Sequence, residues 1–317
     1  MSIDRVPLAV WVSVPLVAAA LFGALGPLIA RRLAPRRATW LLSVGSLLMA
    51  ASTAVVLMLV VLSAAGTVPA VAGLGHWSWQ RVEAGQHFGE GMAAVALVAL
   101  AAQSVSAVHT GWQRGQGLVA AWIACRSSPA QLVVLPDARP AAFAVPGWPG
   151  RIVTTRGLLE NFCPAERRAV LAHEQAHLDG HHDLHVTGAV LAAAVNPLLR
   201  AVPGALRLAT ERWADEAAAS AIGDRALVAA TIGRAALEPE RLGPRSSQAM
   251  GVAGSDVEAR VAALLRCPAA RRPLLEAILA VLALTAIGAS MLAAHDIGEM
   301  LQAAIVHVHP PAVAGIP

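Results

Sequence analysis

Long uncharged apolar runs stand near both ends of the chain. Residues 7–30, 38–66 and 91–112 carry no formal charge, and neither do residues 278–294, a run that extends back to Leu274 if Glu276 sits at its boundary. Each reaches or nearly reaches the roughly 20 residues that take a helix across a bilayer core. The pattern predicts four transmembrane helices, over about 7–30, 39–65, 91–112 and 273–295. The first is too long for a signal peptide and lacks a small-residue cleavage site, and Arg31, Arg32, Arg36 and Arg37 behind it would stop transfer, so it is expected to stay in the mature protein.

Between residues 113 and 272 the pattern changes to short runs and amphipathic stretches rich in charge and proline. Residues 131–135, 141–145 and 151–155 are apolar or β-branched and are separated by Pro136, Pro140, Pro146, Gly147, Pro149 and Gly150, which predicts short strands bounded by breakers. Pro164 opens a helical period at its first position, although Cys163 before it is a poor cap. Further helices are expected over 187–199, 205–222, 224–237 and around 257–265. The fold class is therefore an α-helical membrane protein with four transmembrane helices plus a mainly helical α+β domain. The expected division is a membrane part over 1–112, a soluble domain over 113–272, a fourth membrane helix over 273–295 and a short tail over 296–317.

Composition agrees with lipid as part of the solvent. Hydrophobic residues make up 56% and charged residues 14%, against about 25% charged in a soluble domain. All 24 basic residues are Arg, and the net charge of +4 is small for the length. It fits membrane topology better than a nucleic-acid surface, so no direct nucleic-acid binding is expected. Cys125, Cys163 and Cys267 form no C-x-x-C pair, and no disulfide framework or structural zinc knot is implied. The loop after the first helix holds four Arg and no acid, Arg271 and Arg272 precede the last helix, and residues 67–90 set Arg81 against Glu83 and Glu90. Arg-rich short loops stay in the cytoplasm. This places both termini outside a cell inner or plasma membrane, with the 113–272 domain in the cytoplasm. Trp77 and Trp79 of the outer loop read as interfacial anchors.

Candidate chemistry centres on His173-Glu174-Gln175-Ala176-His177, an H-E-x-x-H motif. Residues four apart on a helix share a face, so both imidazoles can grip one Zn²⁺, while Glu174, one step round, can reach water activated by the metal. A catalytic zinc takes three protein ligands, and Glu211, in Glu211-Arg212-Trp213-Ala214-Asp215 on a later helix, can supply the third. Asp215, on the same helix face as Glu211, can hold the tautomer of a ligating histidine. The plainer alternative pairs Glu211 and Asp215 with Arg207, Arg212 or Arg225 on a solvated face. Because the chain has no Tyr, oxyanion stabilisation or substrate contact falls to His or Arg, with His181, His182, His185, Arg212 and Arg225 as unranked candidates. His181 and His185 continue the four-residue series, but on a continuing helix His181 would stand about 12 Å along the axis from His173, too far to share one ion. The extra histidines read either as a polar helix end or as a substrate or second-metal contact. The strand holding Ala142, Phe143 and Ala144 reads equally as an interior strand or as an edge to which a peptide substrate could add.

Ala172-His173-Glu174 through His177, Asn196-Pro197-Leu198 and Glu211 through Asp215 resemble the BlaR/MecR-type membrane metallopeptidases (metallopeptidase family 56), relatives of the HtpX-type and CAAX-prenyl-protease-type enzymes of family 48. The resemblance runs from about Leu132 to Gly223, with residues 152–159 matching the strand and turn that precede the zinc helix. It implies a gluzincin-type peptidase domain, one Zn²⁺ per chain on His173, His177 and Glu211, and Glu174 as catalytic base. It also implies a protein substrate of the BlaI/MecI transcriptional-repressor kind, or self-cleavage. The antibiotic-sensing members carry an acylated serine in S-x-x-K, which a chain without Lys cannot contain, so β-lactam sensing by these residues is excluded.

The expected function is thus an integral-membrane zinc endopeptidase acting in signalling or membrane-protein quality control. The alternative is a weakly or non-proteolytic transducer that keeps the zinc-site fold. Metal transport is disfavoured, because the spans hold no acid or histidine at their centres. Substrate, trigger and oligomeric state are not legible.

Overall fold

The computed structural model of the protein describes residues 8–85, 88–125, 130–237, 250–266 and 271–305. Cys267 and the tail after residue 305, for which expectations were formed, lie outside them. The first half of the chain is helical: α1 (Leu8–Ala30), α2 (Pro35–Ala65), two short helices α3 (Pro69–Gly75) and α4 (Trp79–Gly85), and α5 (Glu90–Cys125). A small sheet follows, from β1 (Leu132–Leu135), β2 (Ala142–Val145) and β3 (Arg151–Thr155). Then come α6 (Arg156–Asn161), α7 (Pro164–Asp179), α8 (His182–Val195), a 3-10 turn (Pro197–Leu199), α9 (Val202–Ile222), α10 (Arg225–Leu237), α11 (Met250–Leu264) and α12 (Pro273–Ala304).

Four of these helices, α1, α2, α5 and α12, are long and apolar enough to cross a membrane. Two run well past their expected ends: α5 continues beyond residue 112 to Cys125, and α12 beyond residue 295 to Ala304. The reason is that a charged or polar residue marks the edge of the hydrocarbon without breaking helical hydrogen bonding. The expected domain boundary at 112/113 therefore falls inside a continuous helix. At the far end of the bundle the Trp77 indole donates to Gly66 O at 3.0 Å, and Ser78 N–H donates to Ala304 O at 2.9 Å. Trp77, expected as an interfacial anchor, thus ties the loop after α2 back to the end of that helix.

The sheet has the order β1-β3-β2, with β1 parallel and β2 antiparallel to β3. Central β3 buries Ile152, Val153, Thr154 and Thr155, and β2 is an edge strand packed beside α7. Thr155 ends the strand and caps α6, accepting from Leu158 N–H at 3.3 Å. The start of α7 is secured as well. Cys163 is its N-cap after all, with Pro164 at the first helical position and the Glu166 carboxylate accepting from Cys163 N–H at 2.8 Å.

Helix α8, the 3-10 turn and the first half of α9 form a hairpin that packs into the bundle instead of standing in a separate soluble module. Ala189, Ala192, Leu199, Val202 and Leu206 share one core with Phe22 of α1, Leu42 and Met49 of α2 and Leu279 of α12. Its tip is pinned by Asn196, buried at 2% exposure, whose Nδ2 donates to Thr53 Oγ1 of α2 at 2.9 Å. The α8 arm is only 14 residues long, about 21 Å, shorter than a membrane span. Gly23 of α1 lies against the tip so closely that an added Cβ would meet Leu198 O at 2.0 Å.

Gly23→Ala should therefore destabilise the fold by about 1–3 kcal/mol through overpacking, whereas Gly288→Ala, on a helix with open space around that position, should be neutral or slightly stabilising. Thermal unfolding of both variants in detergent measures the difference.

Candidate metal centre

Helix α7 carries His173 and His177 on one face, and α9 crosses it with Glu211 facing the pair. His173 Nε2 lies 3.1 Å from His177 Nε2 and 3.4 Å from Glu211 Oε2, and His177 Nε2 lies 3.5 Å from Glu211 Oε1. This triad could hold a metal ion. Three donors about 2.1 Å from a tetrahedral Zn²⁺ stand about 3.4 Å apart, so the spacing fits zinc with almost no rearrangement. Glu174, next on α7, accepts from Ala144 N–H of edge strand β2 at 2.8 Å.

Around the triad, a set of buried groups orients each ligand. His173 Nδ1 stands 3.0 Å from Asp215 Oδ1, four residues on from Glu211 and 2% exposed. A proton on Nδ1, on the side of Asp215, leaves Nε2 free to face the cluster. Asp215 is held in turn by Arg260 of α11, through Nε at 2.8 Å and Nη2 at 2.7 Å, and Arg260 Nη1 reaches Glu211 Oε2 at 3.0 Å. The acidic pair is thus matched by Arg260, which sequence reasoning missed, and not by Arg207, Arg212 or Arg225. Its only sequence signal was a position inside a helix expected around 257–265, forty-five residues from Asp215.

The structure divides the remaining candidates. Helix α7 stops at Asp179, and His181 takes a left-handed conformation (φ 47°) that begins α8 in a new direction, so the four-residue series does not continue along one helix. The turn brings His182, not His181, back to the cluster: His182 Nδ1 lies 2.9 Å from His177 Nδ1, and its ring packs on Trp213 with centroids 4.6 Å apart. For His177 to present a bare Nε2, its Nδ1 must carry the proton and donate to His182. Gly180 makes room, since a Cβ there would come within 2.4 Å of His182 Nε2. His185 bonds Ser43 Oγ of α2 at 2.8 Å and packs edge-on against Trp40. Arg225 is held by both Glu216 oxygens, at 2.6 and 2.8 Å, and Arg212 donates to Arg31 O at 3.3 Å. Neither reaches the triad.

Charges in the cluster follow from burial and these pairs. Burial alone would depress His173, but its hydrogen bonds to the Asp215 and Glu211 carboxylates prevail and raise it to about 10. Burial pushes His177 down to about 4 and His182 down to about 3. Burial opposes ionisation of Glu211 and Asp215, yet bonding to His173 and Arg260 holds both below the usual carboxylate range.

Zinc must displace the His173 Nε2 proton, so binding near pH 7 should release about one proton per ion, and the release should vanish above about pH 10. Calorimetric titration in buffers of different ionisation enthalpy reads this number directly. His182→Leu, Gly180→Ala and Arg260→Met should each weaken zinc binding about 10–100-fold, as measured by competition with a chromogenic chelator.

Comparison with known proteins gives a family and no near relative. No curated protein and no solved structure matches the chain. The sequence model of peptidase family M48 matches residues 117–313, a stretch that begins in the extended part of α5 and contains the triad, Glu174, His182, Asp215 and Arg260. Family M48 was named above among the relatives of the BlaR/MecR-type enzymes. A match over more than half of the chain, enclosing every residue of the candidate centre, makes this protein a member of metallopeptidase family M48.

Proposed function

We propose that the protein is an integral-membrane zinc endopeptidase that cuts a protein chain at the cytoplasmic face of the membrane. The observation that carries this reading is the convergence of His173 Nε2, His177 Nε2 and the Glu211 carboxylate within 3.1–3.5 Å of one another, with Glu174 adjacent on the same helix. A zinc ion held by the three would polarise a scissile carbonyl and lower the pKa of water.

The remaining work belongs to the chain. Glu174 takes the proton as the water oxygen bonds to the carbonyl carbon, and passes it to the amine nitrogen as the carbon–nitrogen bond breaks. The Ala144 N–H that donates to Glu174 steers this carboxylate and sets it beside the outer edge of β2. Thr155 N–H donates to Ala141 O at 3.0 Å, so by alternation Ala142 and Ala144 turn their backbone groups away from β3. A substrate adding as a further strand along Ala142, Phe143 and Ala144 would pass Glu174 with its backbone in order. Arg260 is a positioning residue: it balances Glu211 and Asp215 and so fixes the angle at which Glu211 meets the histidines.

Orientation is supported by charge. Arg36 lies over the Trp213 ring at 5.5 Å, and Arg212 of the same helix reaches Arg31 O, so the candidate centre shares one end of the bundle with the arginine cluster. The positive-inside tendency assigns that end to the cytoplasm, with both termini outside. The motif likeness to BlaR/MecR-type enzymes favours a BlaI/MecI-like transcriptional repressor as substrate, within signalling, and a membrane protein under quality control is the second choice. An intact Glu174 tells against a purely binding role, which would need no base.

Glu174→Gln should keep about one zinc per chain yet lose about 10²–10⁴ in peptide hydrolysis, whereas His173→Ala and Glu211→Ala should lose the metal. Metal analysis beside fragment analysis of cellular proteins checks both, and undiminished hydrolysis by Glu174→Gln would refute the enzyme as described. Reporter fusions at Ala34 and Gly85 should report the cytoplasmic and the outer side respectively.

A further inference from the structure

A groove of about 590 Å³ runs between α5 and α8, away from the candidate metal centre. Its walls are small residues, Ala102 and Ser106 on α5 and Ala193 and Ala194 on α8. Besides the Ser106 and Thr110 hydroxyls, two larger polar side chains stand among them: Gln103, whose Oε1 is buried with no hydrogen-bond partner among the described residues, and Arg200, just past the hairpin tip. Helix α5 is the least covered of the four long apolar helices, with 6% of its apolar window buried.

The depth of this groove follows from its neighbours. Asn196, four residues before Arg200, bonds Thr53, which lies 18 residues after Pro35 and 12 before Ala65, or roughly 27 and 18 Å from the two ends of α2. The adjoining Ser52 O accepts from Ser290 near the middle of α12. Arg200 therefore opens into the groove near the middle of the bundle's long axis. Given that these helices cross a bilayer, it lies near the hydrocarbon midplane, where a cation without a partner is costly and marks a functional site.

We infer that the α5–α8 groove with Arg200 receives a transmembrane helix of another protein, one that carries a carboxylate near the middle of its span. Small residues on both walls let a helix backbone approach closely. Arg200 supplies the charge that a buried carboxylate needs, and Gln103 Oε1 offers an acceptor to a hydroxyl or amide of the incoming helix. A second copy of this chain does not meet the requirement: α1 and α2 contain no acid, α5 has only Glu90 at its first residue, and Glu276, Asp296 and Glu299 stand toward the ends of α12. A lipid phosphate sits at headgroup level, half a bilayer away, roughly 15 Å from the midplane.

The test uses the full chain with Glu174→Gln, so that nothing is cleaved, in phosphatidylcholine vesicles. Energy transfer from the protein's tryptophans to dansyl-labelled Leu/Ala peptides of roughly 22 residues measures association, with Glu, Gln, Lys or Leu at the peptide centre. The Glu peptide should associate about 5–30-fold more tightly than the Leu peptide. Arg200→Gln should remove that preference and Arg200→Glu should transfer it to the Lys peptide, both with zinc content unchanged. Equal association of Glu and Leu peptides would overturn the inference, as would a Glu preference that survives in Arg200→Gln. Loss of the preference when phosphatidylglycerol replaces about one-fifth of the lipid would overturn it too, assigning Arg200 to a lipid phosphate. None of these readings depends on peptide hydrolysis, so failure here and failure of the peptidase assignment are separable.

Discussion

Asp215 is the group on which the candidate centre depends. A carboxylate 2% exposed would be costly alone, but here it accepts two hydrogen bonds from Arg260 and lies against His173 Nδ1. Removing one partner of a buried pair leaves the other charge uncompensated, at about 3–5 kcal/mol. The consequence is structural before it is chemical. Three helices, α7, α9 and α11, meet at one carboxylate, and the position of Glu211, one turn earlier on α9, follows from that junction. Arg260 closes the balance by touching both acids, which lets two carboxylates stand side by side without repelling α9 from α7.

A parallel arrangement governs the second histidine. His177 turns its Nδ1 to His182, whose ring packs at a tilt against Trp213 of α9. One histidine of the triad is thus oriented by a carboxylate and the other by an imidazole, and both supports reach back to α9. The same helix buries Leu206 in the core shared with α1, α2 and α12. His185, one turn after His182, bonds Ser43 on α2. The geometry of the candidate centre and the packing of the long apolar helices are therefore parts of one structure, joined through α8 and α9.

That union explains which expectations needed correction. A soluble domain beginning at residue 113 was the natural reading of a rise in charge, but charge says where lipid ends and not where a helix ends, and α5 passes through the boundary unbroken. The hairpin tip is not legible in the sequence because α8 is short and α9 carries charge, so that no uncharged window of spanning length stands out, and because Asn196 and Thr53 are 143 residues apart. Spacing leaves the extra histidines unranked. The left-handed turn at His181 brings His182 back to the cluster, through a backbone conformation that helical periodicity does not register.

What the sequence determined by itself was everything encoded within a few turns of one segment. The four apolar runs follow from bilayer thickness, the three strands from their breakers, and the shared face of His173 and His177, with Glu174 one step round, from the 3.6-residue period. The reach of Glu211 and Asp215 toward that face was legible as a spacing on a second helix. Only the tertiary structure decided which cation matches the acids, which extra histidine supports a ligand, which strand edge faces Glu174 and how deep the hairpin sits. Those are relations between segments tens to hundreds of residues apart. Local propensity carries no information about them, and close packing selects among the partners.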